Sequence, residues 1–268
     1  EVVSYTQKQN VIDLKCENAR VEITIKTADI VRVKMYPGES IPDTHSYAVL
    51  PMEDAPDVYP IEDLGDQLKI TTQKLIITIR KSPCQISFKD LDGHNICEDH
   101  SGYGMGWNGT KIICHKKLHD EVFYGLGEKT REFNKRGNMY TMWNSDIPAY
   151  TIYTDPLYQS HPYFIGLRDG KAFAIFMDNS HRSEFNMGMG TNQFYSFGAD
   201  NGVLDYYFIY GPELKTILKQ YRKLVGKMPL PPKWSLGYQQ CRWSYHPETE
   251  VMDLAHTFRH KEIPCDVL

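Results

Sequence analysis

The sequence lacks the features that decide many assignments at once. Its longest uninterrupted apolar run is about six residues, Ala172–Met177, far short of the ~20 needed to span a bilayer, so no membrane partner is expected. Positive charge is not in excess. A formal net charge of -4 and a pI near 6.2 give no attraction to nucleic acid or anionic lipid. Glu1-Val2-Val3-Ser4-Tyr5 carries neither a basic segment nor an apolar one, so no signal peptide is read there and a cytoplasmic location is the expectation. The six cysteines (Cys16, Cys84, Cys97, Cys114, Cys241 and Cys265) follow no framework spacing and are expected to be reduced and mostly buried. Neither His-Glu-x-x-His nor Gly-x-Ser-x-Gly occurs, which removes the familiar metallopeptidase and serine hydrolase motifs.

What is present is apolar, aromatic and rich in turns. The 268 residues suit one large or two ordinary domains, 41% are apolar, and 12% are aromatic, led by 18 tyrosines. That composition favours β structure and flat-faced ligands such as sugars. Val21, Ile23 and Ile25, then Val31, Val33 and Met35, alternate with polar residues around Ala28-Asp29, which predicts an antiparallel hairpin with one face buried. Residues 37–66 hold five prolines and little periodicity, the mark of a long irregular excursion with room for short strands. Strands are predicted again at 68–71, 75–79 and 86–88, with Asp92-Gly93 as a tight turn. Others follow at 163–167, 172–177, 194–197 and 204–210. Many short strands separated by turns point to a β-sandwich.

The apolar stripe Leu214, Ile217, Leu218, Tyr221, Leu224 and Val225 predicts a helix that opens at Pro212-Glu213 and closes at Gly226. We expect a domain boundary there: a sandwich over 1–227, then a second piece over 228–268. In that piece, Trp234–Gln240 is uncharged and follows Pro231-Pro232, which predicts a strand buried on both faces. A helix starting beyond His246-Pro247 and a second strand entered at Cys265 follow it. This is one β-α unit; if it opens a (β/α)8 barrel, Arg242, Trp243 and Tyr245 fall just past the carboxyl end of the first strand, the face where barrels build their sites, and otherwise Trp243 and Tyr245 pack the strand-to-helix turn.

Several clusters invite chemistry and do not carry it. Gly125–Thr130 lacks the Gly-Lys-Thr core of a phosphate loop because Glu128 intervenes, so its glycines are read as a bend or a close backbone approach. Cys97, His100, Cys114, His115 and His119 are zinc-type ligands at spacings that fit no common structural site, and neither metal nor cofactor is expected. Glu248, Glu250 and Asp253 occupy the first turns of a helix, where acids serve the dipole.

Four stretches carry a resemblance: Phe123–Glu128, Trp143-Asn144-Ser145-Asp146 with its Tyr/Pro loop, Ser160–Phe164, and Pro231–Tyr245. In this order they resemble the amino-terminal half of a glycoside hydrolase family 31 enzyme, a family whose largest group is the α-glucosidases. The likeness is close over about residues 121–268 and rests mainly on strand pattern before that. It implies a mainly β fold, a galactose-mutarotase-like β-sandwich followed by the first β-α unit of a (β/α)8 barrel. It also implies retaining, exo-acting hydrolysis of terminal non-reducing α-linked glucose by two carboxylates about 5 Å apart. Neither carboxylate falls in this sequence; both are expected beyond Leu268, and Asp266 belongs to a strand's start. The chain alone is therefore expected to be inactive, with the rest of the barrel and an α-linked glucoside or oligosaccharide as partners. Two positions match the family's substrate-binding residues, Asp146 on a sandwich loop and Trp243 after the first barrel strand. An α-xylosidase or α-transglucosidase of the same family, a non-catalytic carbohydrate-binding sandwich, and a mutarotase-like activity using His161 and Glu184 remain open.

Overall fold

The computed structural model describes residues 1–52 and 58–268, so residues 53–57 of the expected excursion lie outside the described part. The chain divides into two compact units, Glu1–Gly226 and Lys227–Leu268.

The first unit is built on an eight-stranded antiparallel sheet. Its strands run in the spatial order Val2–Lys8, Val11–Cys16, Ala19–Thr27, Ile30–Pro37, Leu204–Tyr210, Lys171–Met177, Ser160–Arg168 and Val122–Gly127. The expected hairpin is its third and fourth members, with Val21 opposite Met35 and Ile23 opposite Val33. Because side chains alternate between faces, those residues share one buried face. A five-stranded sheet, in the order Met105–Asn108, Lys111–Lys117, Phe194–Ala199, Ser183–Asn186 and Met139–Met142, lies against part of that face. A second five-stranded sheet runs in sequence order from Ile61–Asp63 through Gln67–Thr71, Ile76–Arg80, Gln85–Lys89 and Asn95–Glu98. Asp92-Gly93 turns its last hairpin, with Gly93 at φ +85°. The fold class is a β-sandwich.

All three sheets contribute to one apolar core. Phe88 stacks on Phe208 with ring centroids 3.9 Å apart, and Phe123, Phe164 and Tyr195 meet across the layers. The opposite face of the large sheet is covered by the helix Leu214–Val225, which seats Ile217 and Leu224 on Ile30, Ala172, Ala174 and Ile209. Tyr221 stacks on Tyr163 at 4.0 Å. Gly226, at φ +92°, ends that helix as its sequence predicts, with its N–H on the Arg222 carbonyl.

Gly125 shows why the Phe123–Glu128 stretch needs glycine. It sits at φ +118° beside a register shift, and an added Cβ would lie 2.6 Å from the Tyr163 carbonyl oxygen on the paired strand. Gly125→Ala combines backbone strain with this clash, so a loss of about 3 kcal/mol in unfolding free energy is expected, measured by urea denaturation.

The second unit corrects one expectation. Lys233–Leu236 forms a short 3-10 turn rather than the start of a strand. Pro232 is extended, and the Ser235 hydroxyl and N–H both donate to its carbonyl, closing the turn. Strand pairing is confined to Gln239 with Val267, where Asp266 N–H donates to Tyr238 O and Gln240 N–H to Val267 O, each at 2.9 Å. Nor is the segment buried on both faces: Trp234, Leu236 and Tyr238 are 58%, 74% and 51% exposed. The pairing is nevertheless parallel, and the helix Glu248–His260 lies between its partners in sequence. Strand, crossover helix and parallel strand form the β-α unit that the spacing implies.

Candidate carbohydrate-contacting loops

In the first unit, the loop between strands Met139–Met142 and Ser160–Arg168 carries Trp143, Asp146, Tyr150, Ile152 and Tyr153 into solvent. Its base is tied tightly. Lys129, whose side chain is 1% exposed, donates to Asp155 Oδ1 at 2.6 Å and to the Thr141 carbonyl at 2.5 Å. Asp155 Oδ2 accepts the Thr141 N–H at 2.6 Å, and the Thr130 hydroxyl holds the Ile152 carbonyl. Further out, Ser145 N–H bonds Leu157 O and Tyr158 Oη donates to Ile147 O at 2.6 Å, with the Leu157 side chain anchored in the interior. Lys135, beside the Tyr140 ring, has its amine drawn below the usual value by burial and by neighbouring Lys129.

Asp146 stands out on this frame. It is exposed, and among the described residues it has no hydrogen-bond or ion-pair partner. An ionised carboxylate held that way keeps both oxygens available to two neighbouring hydroxyls. At the root of the loop lies a cavity of about 350 Å³ lined by Met142, Trp143, Asn144, Ser160, Asn179 and His181, among others. Among the described residues the buried Ser160 hydroxyl has no partner. Sequence reasoning missed Lys129, Asp155 and the Asn179–His181 turn. The first two act across 26 residues, which no local pattern reveals.

In the second unit, Trp243 lies in the turn between Gln240 and the helix Glu248–His260 and is fully exposed. Its surroundings are ordered by polar contacts, with Gln240 Nε2 donating to Tyr245 Oη at 2.9 Å and Tyr238 Oη to Gln240 Oε1. Trp243 follows the carboxyl end of the parallel segment, the position from which a barrel presents ligand-contacting side chains. Glu250 acts locally, as its place in the first turn implies, by accepting the His246 N–H at 3.1 Å.

The remaining candidates have structural partners. Cys97 and Cys114 are buried. Burial pushes the Cys97 thiol to about 11 and raises Cys114 well above its usual value, while Cys97 Sγ contacts Tyr195 Oη and Cys114 Sγ contacts Asp99. His119 pairs with Glu98 and His100 with the Gly102 N–H. The metal-type group found among the described residues, Asp90, Asp92 and His94, already holds a cation, because Lys171 Nζ sits on Asp90 Oδ2 at 2.5 Å. His161 and Glu184 do not converge. They lie on different sheets, and the cavity between their strands is lined by Ser160, Pro162 and Ser183, whose side chains alternate with theirs. No helix among the described residues is long and apolar enough to cross a membrane.

Residues 20–186 match the glycosyl hydrolase 31 N-terminal galactose mutarotase-like domain, and residues 228–268 match the glycosyl hydrolases family 31 TIM-barrel domain. Over 99% of this chain and 34% of the relative, the sequence is 39% identical to alpha-glucosidase 2 of Bacillus thermoamyloliquefaciens. It is 30% identical to alpha-xylosidase 1 of Arabidopsis thaliana, over 83% of this chain and 25% of the relative. Among solved structures, a Flavobacterium johnsoniae family 31 dextranase complexed with glucose superposes with a TM-score of 0.89 at 34% identity, over 98% of this chain and 33% of that one. The chain thus spans between a quarter and a third of the length of these relatives.

Proposed function

Since the chain belongs to glycoside hydrolase family 31, we propose that it is the amino-terminal portion of a retaining, exo-acting α-glucosidase that hydrolyses terminal non-reducing α-linked glucose. In this reading residues 1–227 form the sandwich domain and residues 228–268 open the catalytic barrel. The nucleophile and the acid/base come from barrel strands outside these 268 residues, set about 5 Å apart as retention requires. Asp146 accepts hydrogen bonds from adjacent sugar hydroxyls, and Trp243 offers an aromatic face to the ring. The observation that carries the reading is the 39% identity to an α-glucosidase along essentially the whole chain.

A second reading, an α-xylosidase or α-transglucosidase, is favoured by the 30% identity to an α-xylosidase. The two sugars differ by one hydroxymethyl group, and a pocket shaped for it discriminates by roughly 10–200-fold. The full-length enzyme should therefore show kcat/KM at least about tenfold higher on nitrophenyl α-glucoside than on nitrophenyl α-xyloside. The reverse ratio would assign the xylosidase activity. Binding of an α-glucan with no turnover of either substrate would leave a carbohydrate-binding sandwich.

A further inference from the structure

The six thiols fall into different environments. Cys97 and Cys114 lie in the core, Cys265 is buried with its thiol on the Val267 carbonyl, and Cys241 is exposed. Cys16 and Cys84 are neither sealed in nor isolated. Cys16 ends the strand Val11–Cys16, opposite Val2, and Cys84 ends the turn that leads into Gln85–Lys89. Backbone already joins these places, since Val2 N–H donates to the Lys81 carbonyl at 2.8 Å. Both thiols are half-buried, both pack against the rim of the core, and both line one cavity of about 190 Å³ beside Asn18, Gln85, Tyr103 and Trp107.

We propose that Cys16 and Cys84 are a dithiol that closes reversibly to a disulfide, stapling the first hairpin of the large sheet to the sheet that contains Gln85–Lys89, by exchange with a small-molecule disulfide of the glutathione class. The two thiols line the same cavity, at the ends of segments that the Val2–Lys81 backbone hydrogen bond already joins. Each thiol bears on the other there: Cys84 draws the Cys16 thiol below its ordinary value, while Cys16 and burial hold Cys84 well above its own, so the two roles are unequal. The Cys16 thiolate attacks one sulfur of oxidised glutathione, forming a mixed disulfide and releasing one glutathione thiolate. Cys84 then loses its proton and attacks the Cys16 sulfur, forming the Cys16–Cys84 bond and releasing a second glutathione. Two protein thiols are oxidised by two electrons, one glutathione disulfide is reduced, and the two protons pass to the released thiols. Cys16 lines this surface cavity, where an incoming disulfide sulfur can approach it, whereas Cys97 and Cys114 are shielded and held protonated.

The test incubates the full-length protein with oxidised glutathione, blocks remaining thiols with iodoacetamide, and maps peptides by mass spectrometry without reduction. A peptide joining Cys16 to Cys84 is expected, with both becoming unavailable for alkylation and returning after dithiothreitol. Cys84→Ser should trap glutathione on Cys16, and Cys16→Ser should leave Cys84 at least about tenfold slower to react. Because the bond closes a loop of roughly seventy residues, the oxidised wild type should melt several degrees higher than the reduced form. The wild-type peptide map needs no variant to fold. Cys16 and Cys84 both remaining alkylatable after oxidation, or Cys16 pairing with another cysteine, would overturn the proposal.

Discussion

Lys116→Met is expected to lower unfolding free energy by about 3–5 kcal/mol, a magnitude that follows from stranding a buried charge. Neither the Lys116 nor the Asp99 side chain has any exposed surface. Lys116 Nζ donates to Asp99 Oδ1 at 2.6 Å and to Tyr206 Oη at 2.9 Å, and it faces the rings of Tyr206 and Phe88. The other carboxylate oxygen accepts the Ile86 N–H at 2.8 Å. Burial pushes the Lys116 amine down, but the Asp99 carboxylate outweighs it and holds the group well above its ordinary value. These contacts join the strand Lys111–Lys117, the end of Asn95–Glu98 and the strand Leu204–Tyr210, one from each sheet. Removing the amine leaves the Asp99 carboxylate in the interior with only the Ile86 N–H and the Cys114 thiol against it. The double variant Lys116→Met/Asp99→Asn should recover part of the loss, because the stranded charge is then absent. Urea denaturation of the three proteins measures both effects. A loss below about 1 kcal/mol for Lys116→Met would mean that water reaches the pair.

The same residue shows where sequence reading stops. Ile112, Cys114 and Lys116 share parity on their strand, so the alternation places a lysine at a core position, where composition alone marks it as a surface residue. Strands with a clean alternation, such as the hairpin from Ala19 to Pro37, were legible, and so was the stripe of the helix Leu214–Val225. Strands of four residues, Met139–Met142 and Ser183–Asn186, are too short to show a period. The opening strand Val2–Lys8 is an edge with most of its side chains exposed and gave no signal. Trp234–Gln240 misled for another reason. An uncharged run reads as a buried strand, but the Ser235 hydroxyl and N–H, both donating to the Pro232 carbonyl, close its first half into a 3-10 turn. At the candidate site, the Tyr/Pro loop announced itself by composition. Its anchor did not, because Lys129 reaches Asp155 through space rather than through the sequence.

Asp146→Ala should separate binding from folding. Asp146 has no protein partner among the described residues and is exposed, so its removal should shift the melting temperature by less than about 1 °C, the behaviour of a surface substitution away from structural contacts. In the proposed reading its cost falls on the substrate. Two hydrogen bonds from sugar hydroxyls to an ionised carboxylate contribute roughly 1.5–3 kcal/mol each before the water that replaces them is counted. A drop of about 100-fold in kcat/KM is therefore expected. Asp146→Asn keeps one acceptor and loses the charge, so it should fall between the variant and wild type. Lys129→Met should behave differently, because it releases the loop's base: both stability and kcat/KM should decline.

The most direct measurement is saturation kinetics of the full-length enzyme on nitrophenyl α-glucoside, wild type against Asp146→Ala, with melting temperatures recorded on the same preparations. The account expects kcat/KM to fall about 100-fold while the melting temperature holds. Equal KM and kcat in the two proteins would contradict it, and would remove the sandwich loop from the sugar site.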